Sequence, residues 1–431
     1  MFDITLLKTP SMQLSLAFAV VLMLNILVKF WLASRQVRHV AVHRDQVPAQ
    51  FSETISLAAH QKAADYTQAK VRLGIWDTSL SAAMVLAWTL LGGLSWLNSG
   101  LSTYLGNGML QQLALLSCFA VIGGLIELPL SLYQTFVLEA RFGFNKTSWQ
   151  LWLMDGFKSS LVGALIGLPL AALILWLMGA AGPAWWLWAW SLLTGFNLLM
   201  MLIYPTWIAP LFNTFTPLED PALKARVQAL LKRCGFFAKG LFVMDGSKRS
   251  AHANAYFTGF GSAKRVVFYD TLLNKLSPGE VDAVLAHELG HFKHRHIFKR
   301  MLGLFVMSLL SLALLGFLSQ QPWFYSGLGV ALNVSGPNDA LALLLFTLVL
   351  PWVSFFITPF MSSASRRHEF EADAYAVKQT NGQDLSSALL KLYVDNAATL
   401  TPDPMFVRFH YSHPDAAQRL THIQASGAGL S

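Results

Sequence analysis

Residues 78–126 carry no charged side chain, and neither do residues 159–218. A bilayer crossing by a helix needs about 20 consecutive apolar residues, so each run is long enough for two crossings. In lipid every backbone polar group must be satisfied internally, which leaves helices as the reading for runs of this length. Each run is broken where a pair of helices would need a turn: Asn98-Ser99-Gly100 and Gly106-Asn107-Gly108 in the first, Gly179-Ala180-Ala181-Gly182-Pro183 in the second. The same criterion along the whole chain predicts seven spans, near 11–33, 78–98, 109–138, 158–178, 184–204, 301–319 and 340–362. A composition of 54% hydrophobic and 13% charged residues excludes an ordinary soluble domain, in which about 25% are charged.

Charge then orients the spans. The loops near 99–108, 179–183 and 320–339 contain no Lys or Arg, and of the 31 basic residues only Lys8 shares their side. The rest lie in or beside segments 34–77, 139–157, 205–300 and 363–431. By the positive-inside rule the amino terminus faces out and the carboxyl terminus faces the cytoplasm. The net charge of +8 therefore reflects topology and attraction to anionic lipid. Basic residues scattered over four segments do not make a nucleic-acid surface, and no nucleic-acid partner is expected. The first span is too long for a cleavable signal peptide and lacks an A-x-A-like site before its basic flank, so it is expected to be retained. Cys118 in a span and Cys234 on the basic side are not expected to form a disulfide or a metal site. The chain divides into spans one to five (1–204), a cytoplasmic segment (205–300), spans six and seven (301–362), and a cytoplasmic carboxyl-terminal segment (363–431).

The chemistry is concentrated in His287-Glu288-Leu289-Gly290-His291. An H-E-x-x-H run on a helix stacks two imidazoles on one face, where both can bind one zinc ion. The glutamate is turned by roughly 100° from the first histidine, beside the metal's open position rather than among its ligands. Ser277-Pro278-Gly279-Glu280 is a capping box with proline at the first helical position, and Val281, Val284, Leu285, Leu289 and Phe292 supply an apolar stripe. A buried histidine pair satisfied by hydrogen bonds is the alternative.

A catalytic zinc site needs a third protein ligand and one open position. Glu369 and Asp373, spaced i, i+4 in Ser365–Ala374, face the same way on a helix. One can bind metal while the other accepts the outer N–H of a ligating histidine. Glu371 points elsewhere and reads as a solvated charge. None of the 12 histidines falls inside a span, and they gather on the cytoplasmic face. Between spans five and six, Asp220-Pro221 opens an amphipathic helix ending at Gly235, followed by strand-like runs at Gly240–Met244 and Arg265–Tyr269. Ala251–Phe257 between them alternates as an edge strand or an internal hairpin strand would. An edge strand near a metal can hold an extended peptide by backbone pairing. Asn25, Lys29, Glu127, Gln134 and Asn197 fall at membrane depth. Lys29 can snorkel to the interface; Glu127 is expected in a satisfied pair, or else lining a polar chamber.

The seven spans, the HELGH run, S-R-R-x-E-F-x-A-D-A after span seven and Tyr411-Ser412-His413-Pro414 together resemble the type I CAAX prenyl proteases, integral-membrane zinc metalloendopeptidases. The resemblance covers nearly the whole chain. It implies a mainly α polytopic fold, in which seven helices form a barrel around a water-filled chamber. A cytoplasmic zinc-protease domain with a small β-element closes one end, with Glu127, Gln134 and Asn197 as wall residues. Carried over residue by residue, it implies His287, His291 and Glu369 as ligands to one zinc ion per chain and Glu288 as the catalytic base. Asp373 becomes the carboxylate behind a ligand histidine. His413 and Arg419 contact the peptide and support the transition state, and Asn254 and Ala255 bind the substrate backbone. Peptide or protein substrates, prenylated ones among them, and membrane lipid are the implied partners. Gly427–Ser431 carries no dilysine retrieval signal, which with the compact length suggests a bacterial relative in the inner membrane. Glu288 would take a proton from the attacking water and return it to the leaving amine.

Two rival functions fit some of the same residues. A bacterial heat-shock membrane zinc protease shares the HExxH and E-x-x-x-D logic, but has about four spans. A membrane binding protein or transporter with structural zinc would need a closed site of four ligands, and no cysteine is near enough to complete one.

Overall fold

Seven apolar helical stretches lie where the uncharged runs predict them. The structure, a computed structural model, describes residues 9–258, 264–334 and 336–428. Lys8, and Gly429, Leu430 and Ser431 of the carboxyl-terminal run, lie outside the described residues. The helices that reach the membrane first are α1 (Pro10–Val42), α2 (Leu57–Trp88), α3 (Gly93–Leu105), α4 (Met109–Tyr133), α5 (Trp149–Ala180) and α6 (Trp185–Ile203). Then follow β1 (Phe215–Pro217), α7 (Pro221–Arg233), β2 (Gly240–Met244), β3 (Ala255–Thr258), β4 (Arg265–Tyr269), α8 (Asp270–Leu273) and α9 (Pro278–Lys293). Spans six and seven are α10 (His296–Leu318) and α12 (Asp339–Ser354), separated by α11 (Pro322–Gly327). The chain ends with α13 (Thr358–Gln379), α14 (Gly382–Asp395), α15 (Pro404–His410) and α16 (Ala416–Ala428).

One span departs from expectation. The second, predicted as a single helix over 78–98, bends by 52° between α2 and α3, and Asn98-Ser99-Gly100, predicted as a break, lies inside α3. Gly92 takes a φ of +79° and a Cβ on Gly93 would lie 2.6 Å from the Ala87 carbonyl oxygen, so the Gly-Gly pair permits a corner that other residues would resist. The corner is pinned by amides on the side without basic loops. Asn98 Nδ2 donates to Asn333 Oδ1 (2.9 Å), Gln111 Nε2 donates to Asn98 Oδ1 (2.7 Å), and Gln112 Oε1 accepts from the Ala340 amide (2.9 Å).

Neighbouring helices close a ring. α1 packs on α2 and α12, α12 on α10, α10 on α6, α6 on α5 and α5 on α4; the π-helical end of α4, Gln134–Glu139, returns to α2. In the most apolar window of α4 and of the α6 span only 6% of residues are buried. A helix so little covered by protein stands in a wall one layer thick, with lipid on one face and the barrel chamber on the other. Two polar residues at depth are held: Asn25 Nδ2 donates to the Trp352 carbonyl (2.8 Å) and Lys29 Nζ lies 4.9 Å from the Trp352 ring centroid. The pair expected for Glu127 is not found. Glu127 is exposed and makes no hydrogen bond or ion pair among the described residues, and an unpaired carboxylate at this depth must face water.

The basic end is capped by a separate core of Val227, Leu230, Val266, Phe268, Leu285 and Leu289. Its sheet runs β1-β2-β4-β3, with β2 and β4 parallel and the outer pairs antiparallel. β2, β4 and α7 fall where the sequence predicts them. β1 was not anticipated, because three residues ending in proline carry no alternation. β3 begins only at Ala255, since His252 upstream is turned aside by a hydrogen bond between its Nδ1 and Asn396 Oδ1 (3.0 Å).

Candidate metal centre

The capping box predicted for α9 is present: the Ser277 amide donates to Glu280 Oε2 (2.7 Å) and the Glu280 amide to Ser277 Oγ (3.4 Å). Val281, Leu285 and Leu289 are buried, which turns His287 and His291 toward α13. α13 can approach because residue 290 is glycine. A Cβ there would sit 2.9 Å from Ala372 Cα, closer than real contacts allow. Glu369 and Asp373, one turn apart on α13, are thereby brought onto the histidine face of α9.

The donors converge as a metal requires. His287 Nε2 and His291 Nε2 are 3.2 Å apart, and each lies 3.4 Å from a Glu369 oxygen. Tetrahedral ligands at about 2.0–2.1 Å from a zinc ion are separated by similar distances. His287, His291 and Glu369 offer donor atoms that all fall within 4.8 Å of one another. Glu369 Oε2 is buried with no hydrogen-bond partner among the described residues. Such an atom is costly unless a cation meets it, so the donor set fits a metal better than it fits a self-satisfied histidine pair.

Around these three, further groups fix orientation. Asp373 Oδ1 lies 2.8 Å from His287 Nδ1. Asp373 in turn accepts from Arg419 through Nε (2.9 Å) and Nη2 (2.5 Å). A proton on Nδ1 leaves His287 Nε2 bare toward the centre. Burial draws the His287 pKa down, but its bond to Asp373 and the Glu369 carboxylate beside it outweigh that and raise it to about 9. His291, desolvated and beside the His287 charge, is pushed down to about 4. Glu288 makes no hydrogen bond or ion pair among the described residues, and burial raises its pKa. A carboxyl group shifted upward is a better proton carrier near neutrality.

The other predicted residues surround this core at different depths. His413, in the turn between α15 and α16, has a side chain 62% exposed and its Nε2 3.4 Å from Glu369 Oε1. Arg419 is buried, with Nη1 4.0 Å from Glu369 Oε2. Ala255 opens β3, and the Asn254 carbonyl just before it accepts from the Tyr269 amide (3.0 Å). β3 is the outermost strand of its sheet. Phe257 and Thr258 border a cleft of about 760 Å³ shared with His291, Phe298, Asn197 and Met200. Two groups were not anticipated. Gly290 occupies an unspecified position of H-E-x-x-H, which carries no signal of its own. His296, whose Nδ1 is 3.0 Å from His291 Nδ1, is out of register with α9 because Arg295, at φ +55°, ends one helical path and starts another.

Comparison with known proteins agrees along the full length. Residues 36–214 match the family described as CAAX prenyl protease N-terminal, five membrane helices, and residues 217–426 match peptidase family M48. The chain is 34% identical to CAAX prenyl protease 1 of Saccharomyces cerevisiae, over 98% of each sequence. It is 31% identical to the human CAAX prenyl protease 1 homolog, over 94% of this chain and 95% of that one. The crystal structure of S. mikatae Ste24p superposes with a TM-score of 0.88 at 32% identity, covering 95% of this chain and 99% of that chain. End-to-end coverage supports this assignment and neither the shorter heat-shock type nor a non-catalytic zinc protein. The chain belongs to the CAAX prenyl protease group of peptidase family M48, and is a multi-pass membrane metalloendopeptidase that hydrolyses peptide bonds.

Proposed function

We propose that the metal is zinc, one ion per chain, held by His287, His291 and Glu369, and that Glu288 is the general base and acid. The observation that carries this is the convergence of two imidazole nitrogens on a carboxylate whose buried Oε2 makes no hydrogen bond among the described residues. When bound there, zinc lowers the pKa of a coordinated water to about 7 and polarises the scissile carbonyl. Glu288 accepts a proton from the attacking water at its carboxylate and delivers it to the leaving amine. Asp373 keeps the proton of His287 on Nδ1, 2.8 Å away, and Arg419 holds Asp373 in place. His413, its side chain 62% exposed, donates toward the developing oxyanion, while buried Arg419 adds a fixed positive charge. The free edge of β3, with Asn254 and Ala255 at its start, pairs with an extended peptide backbone.

Because the relatives are named CAAX prenyl proteases, we infer a prenylated carboxyl-terminal peptide as substrate. The apolar lining of the cleft beside His291 supports a lipid-bearing ligand. Segments 205–300 and 363–431 are proposed as cytoplasmic, completing the site from the side rich in Lys and Arg, with the amino terminus outside. The membrane is proposed to be a bacterial inner membrane, which fractionation of the native host checks. The function itself is tested by zinc analysis of purified protein and by cleavage of a farnesylated CAAX peptide beside an unprenylated one. Zinc-dependent hydrolysis that favours the farnesylated peptide is the expected result; equal rates would remove the prenyl requirement.

A further inference from the structure

Each proposed ligand histidine has two ring nitrogens, and only the one facing the metal must be bare. Asp373 settles the matter for His287. Among the described residues no carboxylate touches the outer nitrogen of His291; what touches it is another imidazole, His296 Nδ1 at 3.0 Å. The far nitrogen of that ring, His296 Nε2, is 2.8 Å from Glu371 Oε2.

Proton counting fixes this array. An ionised carboxylate can only accept, and a neutral imidazole has one N–H. Glu371 therefore places the proton of His296 on Nε2, which leaves His296 Nδ1 as an acceptor. Across a 3.0 Å gap an acceptor requires a donor, so the proton of His291 lies on Nδ1. His291 Nε2 is then bare, and it is the nitrogen 3.2 Å from His287 Nε2 and 3.4 Å from Glu369 Oε1. The opposite array, with His296 donating from Nδ1, would leave His291 protonated on Nε2 and closed to a metal. The middle ring is locked against rotation. His296 is buried at 4% exposure and stacks on His368 with centroids 4.0 Å apart and planes at 14°. The turn at Arg295 makes the contact possible, because it brings His296 back over His291.

We infer that Glu371 and His296 are positioning residues for the metal centre, a carboxylate–imidazole relay that selects the metal-binding tautomer of His291. The inference rests on His291 being a ligand, and its test separates the two. Metal affinity is measured on the purified full chain by zinc competition with a chelator, together with the visible spectrum of the cobalt-substituted protein. His296→Leu removes the acceptor. Glu371→Lys replaces an acceptor by a donor and reverses the array, whereas Glu371→Gln keeps a carbonyl oxygen that can still accept. Removing an outer hydrogen-bond partner of a metal ligand typically costs about 10- to 100-fold in affinity. That loss, with an altered cobalt spectrum, is expected for His296→Leu and Glu371→Lys, while Glu371→Gln stays near the parent. If Glu371→Gln falls as far as Glu371→Lys, charge alone acts and tautomer selection is overturned. Parental affinity in both His296→Leu and Glu371→Lys overturns the relay altogether. Should His296→Leu fail to fold, the two Glu371 variants decide, since that side chain is 47% exposed. His291→Ala is the control: if it keeps full metal content, the ligand assignment itself fails, independently of the relay.

Discussion

Glu288 differs from the histidines on either side of its turn in lacking a hydrogen-bonding partner among the described residues. A side chain recruited to hold the fold would have one; a proton carrier needs its oxygens available to water and substrate. Replacement by glutamine preserves shape and removes basicity. Glu288→Gln is therefore expected to bind metal in the parental ratio while losing peptidase activity by about 10²- to 10⁴-fold, the usual contribution of general acid–base catalysis. Turnover comparable to the parent, with metal content confirmed, would sink the assignment. Glu369 plays the complementary part. Its Oε2 has no hydrogen-bond partner among the described residues, and Glu369→Ala is expected to lower bound metal, measured by elemental analysis; unchanged stoichiometry would rule it out as a ligand. At the same scale Glu371 is the solvated charge that residue spacing predicts, 47% exposed, and it has a partner that spacing does not show. It accepts from His296 across 2.8 Å.

The centre is made by two helices meeting, so its precision depends on what lies between them. At Gly290 the α9–α13 approach leaves no room for a methyl group, the Ala372 backbone being 2.9 Å from where a Cβ would stand. Gly290→Ala must push α13 outward and carry Glu369 and Asp373 away from His287. Weakened metal binding with helical content retained is expected, read by chelator competition and circular dichroism. The amino end of α9 is anchored by a different device. Burial alone would raise the Glu280 pKa, but the Lys391 ammonium at 2.7 Å and donors from Ser387 and Ser277 hold it down at about 2. A carboxylate depressed on folding stabilises above its ordinary pKa and loses that contribution as pH falls toward its folded value. Glu280→Gln is thus expected to cost about 1.5–3 kcal/mol at neutral pH, seen as a lower melting temperature. The gap to the parent should narrow as pH falls below about 4.3, the ordinary glutamate value; a gap independent of pH would refute the ionic account. Much of this element was legible in sequence, because the capping box, the proline and the apolar stripe are local signals that agree. The α2–α3 corner, β1 and the place of His296 were not. Each depends on a backbone turn or a pairing partner that periodicity does not encode, as Gly92 at φ +79° and Arg295 at φ +55° show.

Seven spans arranged as a ring pose a question that no single helix answers: what fills the middle. Side chains fill it only toward the end without basic loops, where Leu115, Leu175, Leu341 and Leu345 share one core; α4 and the α6 span bury only 6% of their most apolar windows. Lipid would be a poor host for Glu127, which sits mid-helix on α4 without a partner among the described residues. An unpaired charge at membrane depth is costly unless it lines water. The chamber is therefore expected to be wet along the Glu127 face of α4 and lipid-facing on the other. Leu125, 62% exposed and two residues away, lies roughly 200° around the same helix and marks that other face. With Cys118 and Cys234 replaced by serine, Glu127→Cys should react with a charged, membrane-impermeant methanethiosulfonate reagent, while Leu125→Cys should stay unmodified in the bilayer. Thiol reactivity depends on the thiolate, which forms in water and not in hydrocarbon, so the comparison reports solvation rather than simple access. Equal labelling would mean that both faces are wet and α4 is not a wall. If neither is labelled, the interior is dry, and a peptide backbone with its polar groups could not be drawn through it to the metal centre.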